Sequence, residues 1–353
     1  MQRSLMIILS TKTITMQCFN KSMSLLFFLG FCSPRSIIAQ PSSVPVVPPP
    51  KFNPNFWIIS TMQRVESSSN TSIGQGDTTF LPVLHNSGFS YGTYFGFYTM
   101  DSHSFILVIA LSGPQGPIVW SANPDNPVSP GAILTFTGEG DLLLQDGGTL
   151  IWSTATNNRS VAGMRLDLSG NLVLFYQNNS LVWQSFDHPT DTLVMGQSLC
   201  SGTKLRAKLS SQKWSSSRFY LSAELNGLRH YFEPAAYTQL FQSTATSTPT
   251  KSSACYAFAN GSLGFPDKIF SLPSASSLQF MRLESDGHLR LYEMQEQNSP
   301  RMLLDVLSTV VAFCDYPLAC GDYGVCNSGQ CSCPSFNTFR FQNERLPGSG
   351  CIP

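Results

Sequence analysis

Charge is scarce in this chain. Lysine, arginine, aspartate and glutamate supply 12% of its residues, and 21 bases are balanced by 21 acids. Without a basic run there is no electrostatic footprint for a nucleic acid, so that partner is excluded and neutral partners fit better. Histidine is scarcer still, with five copies. No H-E-x-x-H pair, G-x-S-x-G elbow or P-loop occurs, which removes the common metal-dependent, serine-dependent and nucleotide-dependent chemistries. No cofactor and no metal is called for. Long apolar runs are also missing beyond the first forty residues. The next most apolar stretch, Phe105 to Leu111, has seven residues against the ~20 of a membrane-spanning helix, so an anchor would have to lie beyond Pro353. No amphipathic helix of useful length appears either, which leaves strands as the building material.

What is present begins with an address. Lys12 and Lys21 precede Leu25-Leu26-Phe27-Phe28-Leu29-Gly30-Phe31, the size of a signal-peptide core, with small residues ending at Ala39. Residues 1–39 are expected to be a signal peptide, with Met16 or Met23 as alternative starts; a short amphipathic anchor is the competing reading. The proline-rich stretch 40–59 is expected to be a linker, because proline can form neither helix interior nor central strand.

Short strands with polar corners then follow. Thr78 to Leu84, Tyr91 to Tyr98, Phe105 to Leu111 and Ile118 to Ser121 are separated by glycine, proline and asparagine punctuation. A weak repeat of about thirty residues comes next. LTFTGEGDLLLQDGGTLIWST and MRLDLSGNLVLFYQNNSLVWQS each read as a strand, a glycine-centred corner, a strand, a polar turn and an aliphatic pair before a tryptophan, Trp152 or Trp183. Such indoles suit the space where sheets meet better than a ligand. Further on, RFYLSAELNGLRHYF and SSLQFMRLESDGHLRLYE read as strand-turn-strand units centred on Asn226-Gly227 and Asp286-Gly287-His288.

WQSFDHPTDT follows the second copy. Ser185, His188, Asp187 and Asp191 carry the residue types of a hydrolytic triad, but neighbours in sequence rarely converge on one point, and closing a proline turn is their commoner work.

Of the ten cysteines, Cys18 and Cys32 fall in the leader and eight remain, six of them within the last forty residues. An even number in a secreted chain implies a disulfide framework, and that polar, glycine-rich end needs stapling. Zinc is the competing reading; the Cys331-Ser332-Cys333 spacing and the lack of a nearby histidine argue against it. Cys200 and Cys255 stand alone in their half and are expected to bridge. Asn70, Asn158, Asn178 and Asn260 begin N-glycosylation sequons.

VWSANPDNPV, GNLVL, VWQSFDHPTDTLVMGQSL and CDYPLACGDYGVCNSGQCSCP together resemble the extracellular region of plant S-domain (G-type, bulb-type lectin) receptor-like kinases and S-locus glycoproteins, from about Thr78 to Cys351. The resemblance implies an all-β chain: tandem bulb-type lectin β-prisms, at 60–185 and 186–310, and a disulfide-rich EGF-like module at 311–353. It implies the pairs Cys314–Cys326, Cys320–Cys331 and Cys333–Cys351. The PAN, transmembrane and kinase parts of complete receptors have no counterpart in these residues, so kinase activity does not carry over.

The family's mannose motif, Gln-x-Asp-x-Asn-x-Val-x-Tyr, sets five side chains on one strand face. Here it falls on Asp167, Ser169, Asn171, Val173 and Phe175, matching in the asparagine and valine. Glu284, Asp286, His288, Arg290 and Tyr292 keep the aspartate and tyrosine and place arginine where the apolar contact belongs. Thr137, Glu139, Asp141, Leu143 and Gln145 match nowhere. The same residues are those a prism corner would use, so sugar binding is expected to be weak or degenerate. Two functions follow. The first is an extracellular, mannose-type carbohydrate-binding recognition protein whose partner is a glycan or glycoprotein. The second is an ectodomain without lectin activity that binds a peptide or protein ligand, or forms a homo- or heterodimer with a related receptor. Secretion is the expected location, or the plasma membrane if a transmembrane helix follows Pro353.

Overall fold

The computed structural model describes residues 6–9, 12–15, 46–47, 55–58, 79–88, 92–242, 254–265, 268–295, 299–334 and 338–353. Residues 1–43 are a unit of their own, in which β1 (Met6–Leu9) pairs with β2 (Lys12–Thr15). The rest of the leader expected over 1–39 lies outside the described residues.

From Val44 onward the chain builds six four-stranded antiparallel sheets in two sets of three. It first lays down β3 (Val46–Val47), β4 (Asn55–Ile58) and β5 (Thr79–Ser87), then completes a sheet on each in reverse order. Strands β6 (Gly92–Thr99), β7 (Ile106–Leu111) and β8 (Ile118–Ser121) join β5. Strands β9 (Ile133–Phe136), β10 (Leu142–Asp146) and β11 (Thr149–Ser153) join β4, and β12 (Gly163–Leu166), β13 (Leu172–Phe175) and β14 (Leu181–Gln184) join β3. The stretch 40–59, expected as a linker, therefore supplies two strands. Both are at sheet edges, the place a proline-rich segment can occupy because one side of it needs no ladder partner.

The second set repeats this plan. β15 (Thr192–Val194), β16 (Ser198–Cys200) and β17 (Lys204–Lys208) are laid in succession. β18 (Ser216–Glu224), β19 (Gly227–Phe232) and β20 (Ala235–Gln242) then join β17. β21 (Cys255–Ala259), β22 (Ser262–Phe265) and β23 (Lys268–Ser271) join β16; β24 (Gln279–Leu283), β25 (Leu289–Met294) and β26 (Pro300–Asp305) join β15. The chain is thus two three-sided β-prisms in tandem.

Two apolar clusters fill the prisms, the first reaching across the seam to Val194, Leu278, Phe280 and Met294 of the second, and strand alternation assigns the residues to them. At the axis of the first prism, Trp120, Trp152 and Trp183, one from each sheet, pack edge to face with ring centres 5.7, 6.2 and 6.0 Å apart, the arrangement their quadrupoles favour. Strand β7, ILVIAL, is buried along its whole length. Leu107, Ile109 and Leu111 enter the first core, while Ile106, Val108 and Ala110 face Trp214, from the loop before β18. One face of the first prism is therefore spent on contact with the second, which explains an apolar run where alternation would otherwise be expected.

The seam is also polar. Trp120 Nε1 donates to the carbonyl of His188 at 2.8 Å. Arg282 donates to the Ile118 carbonyl at 2.7 Å. Asp191, buried, pairs with Lys208 at 3.2 Å; burial disfavours its charge, but Lys208 and Arg282 outweigh that and hold its carboxyl below the usual range.

Cys200 and Cys255, partners in the β16–β21 ladder, are joined by a disulfide. Beyond β26 the chain is tied by Cys314–Cys326, Cys320–Cys331 and Cys333–Cys351, around the small hairpins β27 (Val325–Asn327) with β28 (Gln330–Ser332) and β29 (Arg340–Phe341) with β30 (Cys351–Ile352). This segment meets the second prism through Tyr316, whose ring lies 6.0 Å from Phe219 and 4.6 Å from His288. Among the described residues no helix is long and apolar enough to cross a membrane.

Candidate carbohydrate-binding faces

The candidate faces start from a common corner. In Asp167–Asn171 the first N–H donates to the fifth carbonyl at 2.8 Å and the Gly170 N–H to the first carbonyl at 2.9 Å; Glu284–His288 repeats this at 2.9 and 2.8 Å. Gly170 and Gly287 have φ of 84° and 83°. A Cβ on Gly170 would lie 2.9 Å from Leu111 Cδ2, and one on Gly287 2.4 Å from the Phe219 ring. Glycine is needed twice over, for the left-handed turn and for close packing against the neighbouring sheet.

Asp167, Ser169 and Asn171 form the first corner, and β13 carries Val173 and Phe175 on the side away from the first core. The five are brought together, and Asp167 and Asn171 are already engaged. Asp167 Oδ1 accepts from Arg165 Nε at 3.1 Å, and the Arg165 guanidinium lies 5.0 Å from the centre of the Phe175 ring. Asn171 Nδ2 donates to Gln184 Oε1 at 2.9 Å, while its Oδ1 accepts from Ser185 Oγ at 3.2 Å and the Phe186 N–H at 3.3 Å. Val173 and Phe175 are buried. Tyr176, the neighbouring phenol, packs against the first core.

The second corner leads into β25 and a denser network. Tyr292 donates to Glu284 at 2.7 Å; burial and then that carboxylate push its phenol well above the usual range. Arg290 grips both oxygens of Asp286, at 3.1 and 2.7 Å, and reaches Asp305 at 3.1 Å. His288 Nδ1 lies 2.8 Å from the same Asp305 oxygen. Burial disfavours the Asp305 carboxylate, but His288, the Ser308 N–H and then Arg290 hold its carboxyl below the usual range. Arg290 thus stands where an apolar floor would lie, paired on two sides.

The remaining copy of the motif serves the fold. Asp141 accepts from Thr154 Oγ1 at 2.6 Å, from Ser153 Oγ at 3.0 Å and from the Thr156 N–H at 3.1 Å. The triad-like residues go separate ways. Ser185 Oγ accepts from the Leu172 N–H at 3.0 Å, Asp187 from Gln184 at 2.8 Å, and the exposed His188 ring stacks on Trp183 at 5.2 Å. A cleft of ≈ 320 Å³ lies away from both faces, between β6 and the β17–β18 loop, where Tyr98 and Trp214 meet.

Of the sequons, Asn158 and Asn178 are exposed, and exposed Asn260 bonds the Ala275 backbone through both ends of its amide, at 2.8 and 3.0 Å; Asn70 lies outside the described residues. Sequence reasoning passed over Arg165, Gln184 and Asp305. The first two alternate correctly on their strands and could have been found by following the outward face; Asp305, on β26, has no signal within the motif.

A family model described as D-mannose binding lectin matches residues 117–215, from β8 to the loop before β18. The epidermis-specific secreted glycoprotein EP1 of Daucus carota is 30% identical over 263 residues, 62% of this chain and 68% of its own. EP1-like glycoprotein 3 of Arabidopsis thaliana is 31% identical over 251 residues, 62% of this chain and 56% of its own. A G-type lectin S-receptor-like serine/threonine-protein kinase of Arabidopsis thaliana is 28% identical over 303 residues, 80% of this chain but 32% of the kinase. The chain thus spans a third of that receptor and two thirds of EP1. A solved two-domain lectin, the fetuin-binding agglutinin of Scilla campanulata, aligns over 68% of this chain and 96% of its own at 15% identity, with a TM-score of 0.24.

Proposed function

The chain belongs to the bulb-type lectin family that includes the EP1 glycoproteins, and from that premise we propose an extracellular recognition protein whose mannose-type faces bind mannose weakly. The observation that carries this reading is the internal pairing of both faces. A hexose hydroxyl at Asn171 must displace Gln184 or Ser185 and at Asp286 it must displace Arg290, while Asp167 and Glu284 each have one carboxylate oxygen held, by Arg165 and by Tyr292. One hydrogen bond replaces another, so the usual gain of about 1 kcal/mol per bond is not added. With this reading go a signal peptide over 1–39, lectin units ending near 185 and 310, an EGF-like module at 311–353, and glycans on exposed Asn158 and Asn178.

Calorimetric titration of the full-length protein with mannose and with mannan tests it. The expected dissociation constant is about 1 mM or weaker, some 4 kcal/mol, and Arg165→Ala is expected to tighten it by uncovering Asp167 and Phe175. Saturation of the wild type at micromolar mannose would overturn the weak-site reading. Silence across a broad glycan array would overturn glycan recognition itself.

A second reading is favoured by one observation. The cysteine-rich segment exposes Phe313, Leu318, Tyr323, Val325 and Leu346 to 52, 43, 65, 48 and 63%, apolar surface of the kind that serves a protein partner or a dimer. Sedimentation equilibrium before and after Tyr323→Ser with Leu346→Ser separates this from monomeric glycan recognition: a dimer lost in the variant supports it, and a monomer throughout removes the dimer.

A further inference from the structure

The outward face of the sheet β17–β20 differs in chemistry from the two motif faces. Alternation sends Leu205, Phe219, Leu221 and Leu228 into the second core and turns their neighbours outward. In register across three strands lie Arg206, Tyr220 and Tyr231. The next row holds Lys204, Ser222 and Arg229, and neighbouring strands are ~4.8 Å apart. The two tyrosine rings are parallel, 4.6 Å between centres and 6° between planes. Lys204 Nζ lies 4.4 Å and the Arg206 guanidinium 4.9 Å from the centre of the Tyr220 ring, within cation–π range. On the opposite side, the β20 partner of Tyr231 is exposed Ala236, a side chain too small to cover a phenol ring.

Charge on this face does not cancel. Arg206 pairs with Glu233 at 3.2 Å, and Arg229 with Glu224 at 3.6 Å. Tyr231 also donates to Glu224, at 2.6 Å. Lys204 and Arg218, both exposed, have no carboxylate partner among the described residues. Arg218 instead donates to the Glu233 backbone carbonyl at 3.1 Å and lies 4.2 Å from the Phe232 ring centre. In a chain with no net charge, two unneutralised cations flank an aromatic ladder. On the motif face at β25, by contrast, Arg290 is neutralised by Asp286 and Asp305.

We propose that this face is a binding site for an acidic oligosaccharide bearing uronate groups. The apolar C–H face of a pyranose ring stacks on a phenol, as at Tyr231 over Ala236. The ring's carboxylate takes the ammonium of Lys204 or the guanidinium of Arg218, as the carboxylates of Glu233 and Glu224 take the guanidinium groups of Arg206 and Arg229 on this face. A neutral hexose leaves both cations unused. A nucleic acid would also stack, but it is held through neutralisation of some six to ten phosphates, more than two free cations supply. The ligand class rests on the glycan-recognition reading above; the residues are separate from the mannose-type faces.

The test uses the full-length protein with its disulfides intact, titrated with an oligogalacturonate of defined length, with mannan and with a single-stranded DNA oligonucleotide. Oligogalacturonate is expected to saturate the protein, to weaken at least tenfold between low and physiological salt, and to weaken at least tenfold in Lys204→Ala with Arg218→Ala and in Tyr231→Ala. Arg165→Ala is expected to leave it unchanged. Melting temperatures report whether each variant is folded, and Arg218→Lys, which keeps the charge, is expected to keep most of the affinity. No binding at low salt, unchanged affinity in the folded variants, or tighter binding of the DNA overturns the proposal. The mannan titration is read separately, so loss of the mannose-type reading and loss of this site are distinguishable.

Discussion

Where β8, β11 and β14 of the first prism each carry an indole opposite Ile109, Leu144 and Leu174, two corresponding pairs of the second prism place Phe270 and Leu304 opposite Leu263 and Leu291. Strand order is the same in both. The first prism fills its axis with three interlocking aromatic rings and clamps each sheet by a polar side chain just after the tryptophan. Asn123, Thr154 and Ser185 accept the N–H of Leu107, Leu142 and Leu172 at 2.8, 3.0 and 3.0 Å. The second prism is tied instead by the Cys200–Cys255 bridge and encloses His230, 1% exposed. Topology is therefore carried by edge-strand placement and alternation, and the filling of the axis can change provided the volume is met.

The largest blow to this comparison is aimed at the axis of the first prism. Trp183→Ala removes one ring of the three and is expected to cost about 3–5 kcal/mol, seen by calorimetry as a lowered transition for the first prism. If every transition shifts together, the prisms unfold as one unit and separate cores are the wrong description. Next comes the bridge. Cys200→Ala with Cys255→Ala opens a loop spanning 55 residues and is expected to cost about 2–4 kcal/mol, in the second prism alone; an unchanged melting profile would mean that its core holds without the tie.

The smallest effect per step is a titration. Burial, and then the neighbouring His288, lower the His230 imidazole from 6.5 to about 3, against a weaker pull from Asp305. Its Nε2 has no hydrogen-bond partner among the described residues and its Nδ1 lies 3.4 Å from the Tyr237 hydroxyl. Between these pH values the unfolded chain takes up a proton that the folded chain refuses, so the stabilisation is complete above pH 6.5 and is lost on acidification towards pH 3. The slope is expected to reach about 1.4 kcal/mol per pH unit for the second prism in urea titrations, and to vanish in His230→Asn. An equal slope in that variant would assign the acid sensitivity elsewhere.

Much of the fold was legible because its signals are local. A period of two marked β12, and apolar or β-branched runs bounded by turn residues marked β7, β8 and β13; glycine-centred corners at Gly170 and Gly287 marked the turns between strands; and the spacing of Trp152 and Trp183 marked the repeat. The hairpin expected at Asn226-Gly227 turns one residue earlier, with Glu224 paired to Gly227, a register that only the bonded strands define. Edge strands β3 and β4 were hidden. Two or four residues amid prolines carry no periodicity, and Val46 and Val47 become a strand only by pairing with Arg165 and Met164.

The candidate faces divide in the same way. A period of two places Asn171, Val173 and Phe175 on one side of a strand, and Arg290 and Tyr292 on one side of another, from the sequence alone. It also placed an arginine at position 290 in view. What those groups bond to was out of reach, because Asp305 lies on β26, Gln184 on β14 and Arg165 on β12, and only sheet register sets them beside the motif.

By itself the sequence determined that this is a β-rich chain of repeated corners with a disulfide-dense end, since alternation, turn residues and cysteine count act over a few residues or by composition. The tertiary structure alone decided that the chain returns to three edge strands in each prism, that Trp214 closes one face of the first, that groups of the motif faces are bonded from neighbouring strands, and that Lys204 and Arg218 have no carboxylate partner among the described residues. Those outcomes depend on which distant strands share a sheet, and strand register carries that information only once the sheets have formed.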